Sequence, residues 1–242
     1  MQKRVVISQS MYFPWVGLLE QIRLADVFVH YDDVPFSKGS FSNRVQVKTA
    51  SGIRWLTVPL QNVHLGQKID EVELDERKDW RSQHRDILRQ AHLKSPFRDD
   101  MLSLIDRVFA LPATTLADIA RASLMALTDY FGLSINKVFL DSKHMEIGGV
   151  STQRVLNIVR ELQGTQYITG HGARNYLDHP LFEQSGIAVQ YMQYRCIPYP
   201  QMQGNFTPYV TALDLIANCG KEGVSVIQSE SINWKQFIGA QQ

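Results

Sequence analysis

Val5-Val6-Ile7-Ser8-Gln9-Ser10-Met11-Tyr12-Phe13-Pro14-Trp15-Val16-Gly17 is the stretch on which the fold turns. Its first residues are apolar and β-branched, the pattern of a buried strand. Gly17 then opens a helical pattern through Leu18, Leu19, Ile22, Leu24 and Ala25. A connection that only reverses the chain is usually small and polar. This one instead gathers Gln9, Tyr12, Pro14 and Trp15 at the carboxyl end of a strand, where open α/β sheets bind ligands. The aromatics Tyr12, Phe13 and Trp15 also suit a plainer role, plugging the edge of the core.

Outward from that turn the pattern alternates. Residues 27–31 form a second buried strand ending in Asp32-Asp33, and residues 41–48 and 53–59 flank Ser51-Gly52 as a β-hairpin. Helical spacing follows over 79–90, 97–109 and 116–131, with Thr114 or Thr115 as a cap of the last and Gly132 at its end. Residues 137–140 are a strand ending in Asp141-Ser142. A helix over 151–162, capped by Ser151 or Thr152, leads to a strand at 166–169 that ends in Gly170-His171-Gly172. A short helix from Leu181, a strand at 187–191 and a helix at 210–218 complete the pattern. This rhythm predicts an α/β fold: a Rossmann-like, mostly parallel sheet flanked by helices, with an inserted β-hairpin and a helical middle segment. The chain reads as one domain over 1–242, with a helical sub-domain at about 79–131.

Composition narrows the function classes. The 242 residues include 44% hydrophobic and 20% charged, and 25 basic against 24 acidic residues give a net charge of +1. That total makes no electrostatic case for nucleic acid or an anionic membrane. Cys196 and Cys219 lie on different expected elements and point to neither a disulfide framework nor a metal cluster. No apolar run approaches the ~20 residues of a membrane span, and the expected compartment is the cytoplasm. Metal-ligand spacing and the Gly-x-Ser-x-Gly elbow are absent, and the glycine spacing matches no dinucleotide or Walker loop, so no cofactor is named.

Four expected strands end in polar residues: Ser8-Gln9, Asp32-Asp33, Asp141-Ser142 and Gly170-His171-Gly172. As neighbours they would form one rim, the default crevice of such a sheet. Each has a structural alternative as a turn or cap. On the hairpin, Asn43 and Arg44 add an amide and a guanidinium suited to phosphate or carboxylate, while Lys48 reads as a solvated cation. His84, one turn after Trp80, is either a proton-transfer group or a packing histidine. His171 is the best general acid/base candidate, in a segment that also carries Arg174, Tyr176 and Asp178. Tyr199 and Gln201, with Phe206 to Tyr209 behind them, make an aromatic, proline-rich loop that stacks on a flat substrate or covers the core. Asp214 reads as a surface or capping carboxylate.

The opening Ile7-Ser8-Gln9 through Gly17, with Ala25-Asp26 and Tyr31-Asp32-Asp33-Val34, resembles the WbqC-like family. Asn43-Arg44, Trp55 to Pro59, Trp80 with His84, Tyr167 with Gly170, Tyr176-Leu177-Asp178, Tyr199-Pro200-Gln201, Phe206-Thr207-Pro208 and Leu213-Asp214-Leu215 carry the likeness through nearly the whole chain. Ser10 and Thr211 depart from it, where the family commonly has proline and often has serine. The resemblance implies a cytoplasmic bacterial protein of O-antigen, other surface-polysaccharide or small-molecule biosynthesis. The implied activity is a transferase acting on an amino sugar or carrier-linked intermediate, moving an acyl or amino-acyl group. The opening turn is also similar to that of nucleotidyltransferases with a His-x-Gly-His signature, but Trp15 and Leu18 occupy the histidine places.

Three readings follow: a transferase with a nucleotide-linked or carrier-linked small-molecule substrate, an adenylyl-transfer enzyme on the same scaffold, and a non-catalytic binding or assembly protein. In the first, Gln9 and Asn43 orient the substrate, Arg44 neutralises its phosphate or carboxylate, and His171 moves the proton. Tyr12, Trp15, Asp32, Asp33, Ser142, Gly170, Tyr176, Asp178, Tyr199 and Gln201 are the remaining expected binding residues, with His84 a second candidate base.

Overall fold

Six strands form the central sheet of the computed structural model, which describes residues 2–240. β1 (Arg4–Ser8) lies between β2 (Val27–His30) and β6 (Gln166–Thr169), and the sheet extends to β5 (Val138–Asp141) on one side and β7 (Ala188–Gln193) on the other. All five run parallel; β8 (Glu230–Asn233) closes the β7 edge antiparallel, an addition that the alternation did not predict. The hairpin is a separate two-stranded sheet of β3 (Arg44–Thr49) and β4 (Gly52–Thr57).

Period-two alternation sorts the strand residues onto two faces. Val6, Phe28 and Ile168 join one core with Leu18, Leu19 and Ile22 of α1 (Val16–Leu24). That core also takes in α2 (Trp80–Ala91), α3 (Arg98–Ala110), α4 (Leu116–Tyr130) and α7 (Ala212–Cys219). Val5, Val27, Val29, Tyr167 and Val189 face the other way, onto α5 (Ser151–Glu161) and α6 (His179–Gln184), with Phe237 of α8 (Trp234–Gly239). Helices on both faces explain why the strands read as unbroken apolar runs.

Local caps follow the side chains. Asp79 accepts from the Ser82 amide at 3.2 Å, and Thr115 forms a reciprocal capping box with Asp118. α5, like α1 and α3, has no side-chain cap: neither Ser151 nor Thr152 caps it. The Thr152 hydroxyl instead donates to the Tyr176 carbonyl at 3.0 Å and accepts from the Asp178 amide at 3.1 Å. The first turn of α5 therefore keeps its backbone N–H groups free of a side-chain cap.

A buried polar junction ties the strand ends together. Ser10 donates to Asp32 twice, from its amide at 2.7 Å and its hydroxyl at 2.8 Å. That hydroxyl has one proton, so Nδ1–H of His30 donates to it across 2.9 Å. Arg121 of α4 donates to Asp32 from Nε at 2.6 Å and to Asp141 from Nη1. One guanidinium thus joins the ends of β2 and β5. Asp32 is completely buried, and removing one partner of such a pair strands the other charge. Arg121→Ala is expected to destabilise the fold by about 3–5 kcal/mol, read as a lower urea midpoint at unchanged slope.

Candidate functional site

β1 and β6 are neighbours, yet the chain leaves β1 toward β2 on one side and meets β6 on the other. Strand order reverses between them, and a cavity of about 1050 Å3 opens there. Ser8 and Gln9 come from the end of β1, Met11 and Trp15 from the turn, Gln21 from α1 and Tyr31 from the end of β2. Thr169, Gly170, His171 and Tyr176 follow β6, Ser151 opens α5, Tyr194 and Cys196 follow β7, and Phe41 and Tyr209 stand at the mouth. Among the described residues no Asp, Glu, Lys or Arg lines it.

Trp15 owes its position to the glycine two residues on. A β-carbon on Gly17 would fall 2.3 Å from the indole ring. With that space clear, the indole lies against Tyr194 and Tyr209, at centroid distances of 5.0 and 5.5 Å. Gln21 donates to the Tyr194 hydroxyl at 2.7 Å, and a β-carbon on Gly170 would crowd both groups at 3.1–3.2 Å. Two glycines therefore leave room for an aromatic wall held by an amide. Such walls receive flat or cyclic ligands.

His171 faces this wall, its ring 5.1 Å from that of Tyr194. Its Nε2 lies 2.7 Å from the Met192 carbonyl, which can only accept, so Nε2 carries the proton. In the neutral ring the lone pair is then on Nδ1, as a general base requires.

The structure brings Gln9, Trp15, Gly170, His171 and Tyr176 to one cavity; the other sequence candidates stand elsewhere. The rim carboxylates turn away and are neutralised. Asp32 and Asp141 share Arg121, while Asp33 accepts from Ser142 and Arg154. Burial alone would raise the Asp33 carboxyl, but those two bonds hold it below the usual range. Tyr12 is fully buried with its hydroxyl 3.0 Å from Nδ1 of His84, and both pack on Trp80. Burial brings His84 down to about 4, the behaviour of a neutral packing histidine. Asn43 donates to the Val58 carbonyl at 3.2 Å. Arg44 lies 4.3 Å over the Trp55 ring and donates to the Gly39 carbonyl. Asp178 caps α6 through the Leu181 amide at 3.1 Å.

Two expectations are corrected outright. Lys48 is buried, not solvated: it donates to Gln201 at 3.1 Å and to the Gly204 and Asn205 carbonyls. Gln201 in turn bonds the Tyr199 hydroxyl and both backbone groups of Thr207, so these residues staple the loop that delivers Tyr209. Asp214 is buried against Asn218 and near His92, and burial pushes its carboxyl up to about 6.

Tyr31, Gln21, Tyr194, Ser151 and Phe41 line the cavity without having stood out in the sequence. The end of β7 was the available signal for Tyr194, since that strand belongs to the same rim. Gln21 falls one turn beyond Gly17 on α1, on the helix face that helical spacing shares with that glycine.

The model of the WbqC-like protein family matches residues 9–226. "Uncharacterized protein Rv1507c" of Mycobacterium tuberculosis is 32% identical over 223 residues, which cover 91% of this chain and 95% of the relative. No solved structure matches the chain.

Gly17→Ala is expected to push the indole off the cavity wall, costing about 1–3 kcal/mol and shifting tryptophan emission to the red. Acid acts through the buried imidazoles. Burial lowers His30, His84 and His92 from 6.5 to about 4, so between those values the unfolded chain binds more protons than the folded one. Stability is expected to be lost as pH falls from about 6.5 to about 4, measured as urea midpoints across that window.

Proposed function

The chain belongs to the WbqC-like protein family, and we propose that it is a transferase of bacterial surface-polysaccharide (O-antigen) or related small-molecule biosynthesis. It moves an acyl or amino-acyl group onto an amino sugar or a carrier-linked intermediate. The observation that carries this reading is a large cavity at the sheet's switch point whose lining is aromatic and uncharged apart from one imidazole of defined tautomer.

Its volume of about 1050 Å3 stands at the upper end of the ~300–1,000 Å3 typical of single-ligand pockets, room for a donor and an acceptor together. Trp15, Tyr194 and Tyr209 take a sugar ring on their faces, while Gln9 and Gln21 offer amides to its hydroxyls. Nδ1 of His171 removes the proton from the attacking amine or hydroxyl as it adds to the carbonyl of an acyl thioester, and returns it to the sulfur as the acyl–sulfur bond breaks and the donor leaves as a thiol. The uncapped first turn of α5, reached through Ser151, offers N–H groups to a carbonyl or phosphate oxygen.

An adenylyl-transfer enzyme would need cations at the triphosphate. Trp15 and Leu18, the latter deep in the core, stand where the His-x-Gly-His signature has imidazoles, and this reading ranks second. A purely binding role differs in the behaviour of His171.

A thermal-shift screen of nucleotide-sugars, nucleotides and acyl thioesters is expected to give stabilisation by sugar-bearing ligands, weakened in Trp15→Leu. With a substrate in hand, His171→Ala is expected to bind normally and lose about 10²–10⁴-fold in turnover. Retained turnover in His171→Ala would remove the base, and a response to ATP alone would favour adenylyl transfer.

A further inference from the structure

The cavity straddles the end of the sheet and draws its lining from both faces. Ile7, Val155 and Ala173 belong to the core under α5, with Tyr31 packed against it. Met11 and Tyr194 pack against the opposite core, beside α1. His171 stands at the junction. Its ring is 5.1 Å from that of Tyr194 and 4.8 Å from that of Phe237, a member of the α5-side core. The imidazole thus touches both sides of the cavity, and the aromatic wall of Trp15 and Tyr194 takes up only one of them.

The α5 side is apolar and gives a cation no counter-charge. Ser151 and Val155 are four residues apart on α5 and share the face turned to the cavity. The uncapped N–H groups at that helix end suit a carbonyl oxygen, and the positive end of the helix dipole repels an ammonium. The ring of Tyr31 already has the Arg154 guanidinium 5.0 Å from its centre. Asp33, two residues past Tyr31, is tied to Arg154 and Ser142, and Asp178, two past Tyr176, caps α6. Among the described residues no carboxylate lines the cavity.

We propose that the lobe of Ile7, Val155 and Ala173 receives the transferred group as an uncharged aliphatic acyl chain, and that amino-acyl groups are excluded. The inference rests on the transferase reading and specifies its donor. An α-ammonium brought into this lobe loses its water with no carboxylate in exchange, whereas a methyl or methylene group gains by leaving water.

Isothermal titration calorimetry with thioesters of N-acetylcysteamine tests it. Propionyl and glycyl groups have nearly the same shape and differ as a methyl differs from an ammonium. At pH 6 the glycyl amine is protonated. The propionyl thioester is expected to bind at least ~10-fold more tightly, because the glycyl amine must either shed its proton or stay charged and unpaired. Val155→Ala lengthens the lobe and is expected to raise the affinity for the hexanoyl relative to the propionyl thioester several-fold. Comparing propionyl with glycyl requires no variant and decides the matter if Val155→Ala fails to fold. Equal or tighter binding of the glycyl thioester overturns the inference and leaves the transferase reading standing. So does a chain-length ratio that a folded Val155→Ala does not move. Silence toward all three thioesters overturns the inference and that reading together.

Discussion

The bidentate reach of Arg121 to Asp32 and Asp141 is the constraint on which the rest of the site depends. Parallel strands deliver acidic residues to the rim at Asp32, Asp33 and Asp141. Left free, they would fill the crevice with negative charge and repel any phosphate or carboxylate. α4 crosses close enough for one guanidinium to take two of them, and Arg154 of α5 takes the third. Ser10 supplies Asp32 with two more donors, so a fully buried carboxylate is matched by an adjacent cation and hydrogen bonds, the condition under which burying a charge is tolerated.

That neutralisation shapes the cavity's chemistry. Among the described residues no Asp, Glu, Lys or Arg lines the cavity, which presents aromatic faces, amides and one imidazole. The hydrogen bond from Nε2 to the Met192 carbonyl sets the tautomer of the His171 ring. The aromatic wall is a backbone effect as much as a side-chain one: Gly17 and Gly170 are the places where a β-carbon would collide with Trp15, Tyr194 and Gln21.

Much of the architecture was legible along the chain. The apolar runs of β1, β2, β5 and β6 announced a parallel sheet. Their polar ends announced a rim, and they are indeed adjacent in the order β5-β2-β1-β6. The edge strand β8 escaped notice because Glu230-Ser231-Ile232-Asn233 carries no strand pattern of its own; pairing with β7 makes it a strand. Lys48 reads from the sequence as a solvated cation and Asp214 as a surface or capping carboxylate. Both are buried by contacts distant in sequence, Lys48 by the 201–205 loop and Asp214 by the elements carrying His92 and Tyr199.

The sequence by itself determined the class of fold, the strand ends that make a crevice, and the turn from Gln9 to Gly17 that forms one wall. These follow from local periodicity and from the absence of a β-carbon at Gly17, which the chain carries residue by residue. Only the tertiary structure decided which polar residues face the cavity. A carboxylate at a strand end has the same local pattern whether it meets a ligand or an arginine. The choice was made by Arg121 and Arg154, which lie 89 and 121 residues from the aspartates they pair with at Asp32 and Asp33.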